Sequence, residues 1–427
     1  MRFGRSVAIT YASQVLVIAF GMGSSVITAR YLGPEGKGIL ATVLAAAALA
    51  AQFGNLGLQA SAVYHIGHNP SVARAMASFL TLVALVVGLV CVGVLLIAGH
   101  LQLLPGVPPT CWVIFFGVPF QLVAFFLRHV LLARGRVLEF NLFDVCNSSL
   151  FLVCTLLLLV LVRAELHYYL LSLVGAAVLV AALAAVLTFG TVPVDSEMDR
   201  RLLRDLLHYG LRNYVACLFG FLLTRCDVLL LNYFRPSAEV GTYSIAVGLR
   251  SLMVLLPTSV GVMLFPKIAR AESEGYGLTA RVLRHVTTMM VAIVLLAGLL
   301  ARPIIVGIYG PAYLDSVLPF WLLLPGALFL AMISTINNDL AGRGLPTVCI
   351  TGAGAAFALN AALNVLLIPR LGAAGAAVSS SASYVLWFLI ISRYALRTQG
   401  ATVRECFWPR FAEFRDMALN WRGSLVR

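Results

Sequence analysis

Charge is what this sequence has least of. Asp, Glu, Lys and Arg together make up 11% of its 427 residues, and only 17 of them are acidic. A soluble domain is about 45–50% apolar with roughly a quarter of its residues charged, whereas this chain is 61% hydrophobic. So few polar groups cannot cover a water-facing surface, and lipid must be the solvent. Cys-x-x-Cys pairs are also missing: the eight cysteines fall mostly inside apolar runs, as Cys91, Cys154 and Cys217 do. They read as small buried hydrophobes, not as a disulfide or zinc framework. His65 and His68 stand three apart with no Cys or carboxylate beside them to complete a metal site. Nowhere does a polar stretch leave room for a soluble domain.

The net charge of +13 does not point to nucleic acid, because the basic residues are dispersed between apolar runs without a basic domain or an RNA-binding motif. One short stretch invites a different anion. "RYLGPEGKG", Arg30 to Gly38, has the Gly-Lys of a phosphate loop. That loop needs G-x-x-x-x-G-K-[ST]. Here Gly38 follows Lys37 where Ser or Thr belongs, and the first glycine position is Tyr31. A tight turn between two helices needs only Gly and Pro to break helix and supply unusual backbone angles.

A membrane-spanning helix needs about 20 mostly apolar residues. By that measure twelve segments are predicted: 6–29, 38–64, 75–99, 111–133, 141–162, 166–190, 207–233, 238–266, 285–308, 313–341, 345–368 and 371–396. The first resembles a signal peptide in its "MRFGR" start, but it is long enough to span and no convincing cleavage site follows, so a retained helix is expected. Lys and Arg concentrate in the N-terminus, the even-numbered loops and the tail. Positive residues stay on the cytoplasmic side, which predicts both termini inside and "RYLGPEGKG" as an outer turn.

The opening stretch has an echo. "YLGPEGKGILA" from Tyr31 is similar to "YFRPSAEVGTYSIA" from Tyr233, and "LARGR" at Leu132–Arg136 to "LAGRG" at Leu340–Gly344. Both pairs recur at nearly one offset, as expected for two parallel six-helix repeats. The predicted organisation is an N-lobe over 1–192, a C-lobe over 193–396 entered through a linker near 191–206, and a basic amphipathic tail over 397–427.

"ARYLGPEGKG", "DVLLLNYF" leading into "VGTYSIAVGL", "LFPKIAR", and "NAALNVLLIPRLGAAGAAVSSSASY" resemble the Wzx-type oligosaccharide flippases, the polysaccharide-transporter branch of the multidrug/oligosaccharidyl-lipid/polysaccharide exporter superfamily. The likeness covers about 6–396. It implies an all-α, V-shaped membrane fold of two six-helix lobes around a central cavity. It also implies alternating access and an undecaprenyl-diphosphate-linked oligosaccharide as substrate. The chain is shorter than many relatives, and its tail lacks the additional helices of the lipid II flippase branch, which argues against lipid II itself.

A sugar-diphosphate head group needs a polar, cationic path. Tyr11, Gln14, Gly21, Ser25 and Thr28 share a face of the first segment by 3/4 spacing, as do Gln52, Asn55 and Gln59 in the second and Asn213, Gly220, Thr224 and Asp227 in the seventh. Helix packing concentrates the same residue types, so both readings stand. Charges inside spans are rare and usually functional. Arg225 and Arg250 are the candidate substrate-binding cations, with Arg30 beside them or else snorkelling at the interface. Asp144 and Asp227 are the candidates for coupling to a proton or sodium gradient, the only cofactor-like input expected; an interhelical Arg–Asp pair is the structural alternative. Leu202, Leu203, Leu206 and Leu207 beside Arg200, Arg201 and Arg204, and Phe407, Phe411, Phe414, Ala418 and Trp421 in the tail, suit basic helices lying on anionic lipid. The expected partners are the lipid-linked glycan and membrane lipid, with a polysaccharide polymerase and chain-length machinery nearby, and no nucleic acid. A drug/cation exporter would have an acidic cavity. A polymerase would show catalytic carboxylates, often in a large outer loop, whereas the outer loops here hold only Glu35, Glu165, Glu239 and Asp315.

The topology has a direct test. Single cysteines replacing Glu35 and Ser196 should react with impermeant reagent from opposite faces of the membrane; labelling from the same face would reject the assignment.

Overall fold

The computed structural model describes residues 3–191, 200–270, 275–342, 347–399 and 406. All regular structure among them is helical. In chain order the helices are α1 (Phe3–Asn55), α2 (Leu58–His68), α3 (Ala73–His100), α4 (Val118–Ala133), α5 (Val137–Cys154), α6 (Leu166–Phe189), α7 (Arg200–Phe234), α8 (Ser237–Arg270), α9 (Gly275–Tyr309), α10 (Val317–Gly342), α11 (Thr347–Leu371) and α12 (Ala373–Gln399). Short 3-10 turns at Pro109–Gly117 and Pro311–Ser316 lead into α4 and α10, and α5 runs on as a π-helix over Thr155–Val162. Helices satisfy their own backbone groups, which is what a bilayer demands of a spanning segment. Eleven helical stretches among the described residues are long and apolar enough to cross. This is a multi-pass membrane protein.

The longest stretch, Ile9–Asn55, has 47 residues, about twice what one crossing needs. It breaks at Gly33, whose φ of 66° and ψ of −179° lie in a region open essentially to glycine alone. Pro34 then sits in the first turn of the next arm, where a missing N–H costs nothing. Beyond the break Lys37 Nζ reaches back to Thr28 Oγ1 at 2.8 Å and Ser25 Oγ at 3.3 Å. On an unbroken helix Thr28 would lie about 13 Å away along the axis, beyond a lysine's reach. So the chain folds back at "RYLGPEGKG", and counting the two arms apart gives the twelve expected segments. The second arm ends early, because Leu56 and Gly57 are both left-handed, with φ 50° and 72°. A single segment over 38–64 is therefore replaced by an arm of α1 and the short α2.

The chain divides into two compact units. The first comprises 1–245, 304–316 and 361–376; the second comprises 246–303, 317–360 and the residues from 377 onward. In the first, α4 packs against α3, α5 and α6, and α1 against α5 and α7, around buried Val43, Leu58, Met76, Leu80, Phe115 and Phe126. The echo between the turns is physical. A Cβ on Gly38 would fall 1.7 Å from Ser237 O, and one on Gly241 would fall 1.9 Å from Pro34 O. Gly38 and Gly241 are as far apart in sequence as Pro34 and Ser237, so the two turns meet reciprocally, backbone against backbone. Polar links surround this contact: Thr42 Oγ1 donates to Asn232 Oδ1 at 3.1 Å, Tyr313 OH to Ala29 O at 2.8 Å and Ser316 Oγ to Thr242 O at 2.8 Å.

In the second unit α9 and α10 share a core of Val286, Met290, Ala327 and Ala331. Ser381 of α12 donates to Leu322 O at 2.6 Å, and Trp321 Nε1 to Gly298 O at 2.9 Å. The amphipathic face expected at Leu202–Leu207 and the tail stripe from Phe407 lie outside the described side chains; of the linker expected near 191–206, residues 192–199 lie outside the described residues and those from Arg200 on already belong to α7.

Adding a methyl where two backbones touch should be costly. Gly38→Ala and Gly241→Ala are each expected to destabilise by about 1–3 kcal/mol, read as a lower melting temperature of the detergent-purified protein. Gly67→Ala, which meets nothing within 4 Å, serves as the neutral control. Equal melting of all three would reject the close contact.

Candidate functional site

Two helix faces in the first unit carry polar groups at helical spacing. On α4, Gln121 and Arg128 are seven residues apart; on α5, Asp144, Asn147 and Phe151 follow 3/4 spacing. Both faces line one cavity of about 650 Å³, within the usual range for ligand sites. The second arm of α1 contributes Leu44, Ala47 and Ala48, and α6 contributes an apolar wall from Leu173 to Val180. Arg225 of α7 adds a second guanidinium.

The charges within it are not isolated. Arg128 Nη1 donates to Asp144 Oδ1, an ion pair whose carboxylate side is 42% exposed. The guanidinium lies over two rings, 4.9 Å from the centroid of Phe125 and 5.4 Å from that of Phe140, where the ring quadrupole favours a cation. Its Nε is buried without a hydrogen-bond partner among the described residues. Two guanidinium groups and one carboxylate stand on the lining, so its formal charge is positive, and the amides of Gln121 and Asn147 can both donate and accept. Such a surface suits an anion that carries hydroxyls.

The sequence profile of the family described as polysaccharide biosynthesis protein matches residues 3–272, more than half of the chain. The chain belongs to this polysaccharide biosynthesis protein family. It is 22% identical over 224 residues to a probable low-salt glycan biosynthesis flippase, Agl15, of Haloferax volcanii, a match covering 51% of this chain and 48% of that protein. The chain spans less than half the length of the curated relatives it matches. Its fold is that of the lipid II flippase MurJ in an inward closed conformation, with TM-score 0.76 at 13% identity over 93% of this chain and 89% of that one. It is equally that of an inward-facing multidrug resistance MATE family transporter, with TM-score 0.74 at 14% identity over 93% and 99%.

Within this family member the predicted site residues separate. Arg225 and Asp144 line the cavity. Asp144 is not the isolated carboxylate that a coupling role presumed, since Arg128 pairs with it. Arg128, Gln121 and Asn147 are the residues that sequence reasoning missed; their shared helical faces were the available signal. Arg30 donates Nε to Ile308 O and Nη2 to Gly307 O, each at 2.8 Å, so it caps the carbonyl end of α9 where the dipole welcomes a cation. Arg250, 3% exposed, lies in the second unit and donates Nη1 to Tyr384 OH at 2.8 Å. Asp227 is fully buried, accepting from Tyr243 OH at 2.5 Å and Val228 N at 2.8 Å.

The proposed polar faces dissolve in part. Gln14 is exposed on α1 and outside the cavity lining. Gln52, Asn55 and Gln59 do not share one helix, because the chain breaks between Asn55 and Leu58. Tyr214 OH meets Gln52 O and Phe53 O there, at 3.1 and 3.2 Å, and satisfies carbonyls left open by the ending helix. Ser25 and Thr28 serve the turn through Lys37, and Thr224 bonds to Gly220 O of its own helix.

Arg250 and Arg225 should therefore behave differently on truncation. Arg250→Ala strips a buried tyrosine hydroxyl of its charged partner and should cost about 1.5–3 kcal/mol. Tyr384→Phe should be milder, and the double variant no worse than Arg250→Ala alone. Arg225→Ala, at an exposed position on the cavity wall, is expected to lower the melting temperature less than Arg250→Ala does. A large drop for Arg225→Ala with none for Arg250→Ala would reverse the assignment.

Proposed function

We propose that this protein is a flippase that carries a lipid-linked oligosaccharide across the cytoplasmic membrane by alternating access, for surface polysaccharide synthesis. The observation that carries this reading is the net cationic, hydroxyl-compatible cavity in a member of the polysaccharide biosynthesis protein family. The curated relative named a glycan biosynthesis flippase supports it. The substrate is an undecaprenyl-diphosphate-linked glycan: the diphosphate meets Arg225 in the cavity while the lipid tail stays in the bilayer. The lobes over 1–192 and 193–396 alternate about that site with both termini cytoplasmic, and a proton or sodium gradient acts through Asp227. A polymerase and chain-length machinery receive the product on the far side.

A drug or cation exporter is the second reading, favoured by the fold shared with the MATE transporter. The wall's charge opposes it, because two arginines repel organic cations and only one carboxylate attracts them.

The decisive experiment uses purified protein in liposomes loaded with fluorescent lipid-diphosphate oligosaccharide, with membrane-impermeant quencher added outside. Protein-dependent quenching of the inner pool is expected. Arg225→Lys should keep part of the rate, since charge remains but the forked geometry is lost, and Arg225→Ala should lose nearly all of it at normal protein abundance. Ethidium export without glycan movement would establish the exporter instead, and full rate in Arg225→Ala would remove that arginine from the site.

A further inference from the structure

We infer that Asp144 is an internal counter-anion that occupies Arg128 until a ligand's phosphate displaces it, so that Arg128 is a second, masked anion subsite of the cavity. The inference rests on the flippase reading for its substrate, but its binding site is defined by geometry alone. Arg128 lies over the rings of Phe125 and Phe140, and this stabilisation of the cation does not depend on which anion it meets. A single carboxylate oxygen engages Nη1, while Nε is buried with no hydrogen-bond partner among the described residues. A phosphate, with three acceptor oxygens, could engage Nη1 and Nη2 together, and charge-assisted forked contacts outcompete single ones. Asp144 is 42% exposed toward the cavity, so it is free to swing off. Asn147 stands one turn further along the same face, where its amide can donate to the released carboxylate.

Arg225 across the cavity would then receive one phosphate and Arg128 the other, with Gln121 on the α4 face left for sugar hydroxyls. The ligand class is a diphosphate carrying an amphiphile. The gain from masking is release. A carrier must bind firmly enough to load and weakly enough to unload, and a carboxylate that re-enters after the phosphate leaves limits the affinity from within.

The test is a binding cycle on the full-length protein in nanodiscs, titrated by calorimetry with two probes, inorganic pyrophosphate and geranyl diphosphate. Asp144→Asn keeps the side chain's shape but removes the competing charge, and should tighten both probes roughly three- to ten-fold. Arg128→Gln should weaken both by at least as much, and Asp144→Asn should have no effect in the Arg128→Gln background. Arg128→Lys, which keeps charge without the fork, should fall between Arg128→Gln and wild type and covers the case in which Arg128→Gln fails to fold. Asp144→Asn that weakens or leaves binding unchanged overturns the proposal. So does equal tightening with and without Arg128, which would be long-range electrostatics. Response to geranyl diphosphate alone would place recognition in the lipid chain and likewise overturn it. In liposomes, Asp144→Asn should bind tighter yet turn over more slowly. The binding pattern without any glycan movement would uphold the subsite and reject the flippase; glycan movement with a flat binding cycle would do the reverse.

Discussion

Two backbones touch where the first turn of the chain meets its distant echo, and neither can tolerate a side chain at the contact. Gly38 faces Ser237 and Gly241 faces Pro34. A bilayer offers little hydrophobic force between helices, so association there depends on close approach and on satisfied polar groups. This contact has both. Around it, Lys37, Thr42, Asn232, Tyr313 and Ser316 each find a partner. The ends of α1, α7, α8 and α9 are thereby gathered into one compact unit, although they are far apart in the chain. The cavity's position follows, since Arg225 reaches it from α7, the helix that this junction holds beside α1.

Charge inside the membrane obeys a second constraint. A lone arginine at mid-bilayer costs about 2.5–3.5 kcal/mol on insertion scales, and a hydrogen bond to a charged group returns about 1.5–3. Each charge must therefore find nearby compensation or water. Arg30 takes helix-end carbonyls, Arg250 a tyrosine hydroxyl and its ring, and Asp227 a tyrosine and a backbone amide. The contacts of Arg30, Arg250 and Asp227's tyrosine partner each join two helices. Arg128, Asp144 and Arg225 stand where a ligand-sized space adjoins them. Position relative to that space, not rarity in the sequence, marks which charges a ligand in the cavity could meet.

Segment count and the turn at "RYLGPEGKG" were legible because both are local. Apolar runs set spans through length, and Gly33-Pro34 sets a break through backbone sterics. The echo at Tyr233 was legible as a pattern, but the reciprocal contact was not, since pattern carries no distance. The break at Leu56–Gly57 hid inside a run long enough to read as one span; its signal was the glycine pair in "GNLGLQ". Arg128 was passed over because it sits near the end of an apolar span, where snorkelling is the default expectation. Its pairing with Asp144 joins two different helices, and no spacing rule on either one contains it. For Arg250 the hidden part is the partner: mid-span position marks a charge as expensive without saying that it meets Tyr384.

An arginine placed to meet an anion creates a problem for the same protein when no ligand is there. A bare guanidinium facing a low-dielectric cavity destabilises the unliganded fold, whereas a permanent salt bridge would close the site. Arg128 avoids both extremes. The rings of Phe125 and Phe140 stabilise the cation whether or not an anion is present, and the single contact from Asp144 supplies the remainder in a form that another anion can replace. Arginine serves here where lysine would not, because a planar cation can lie on two rings and still present its edge to an anion. The aromatic pair thus belongs to the recognition of charge as much as to packing, and it makes an exchangeable ion pair compatible with a stable empty carrier.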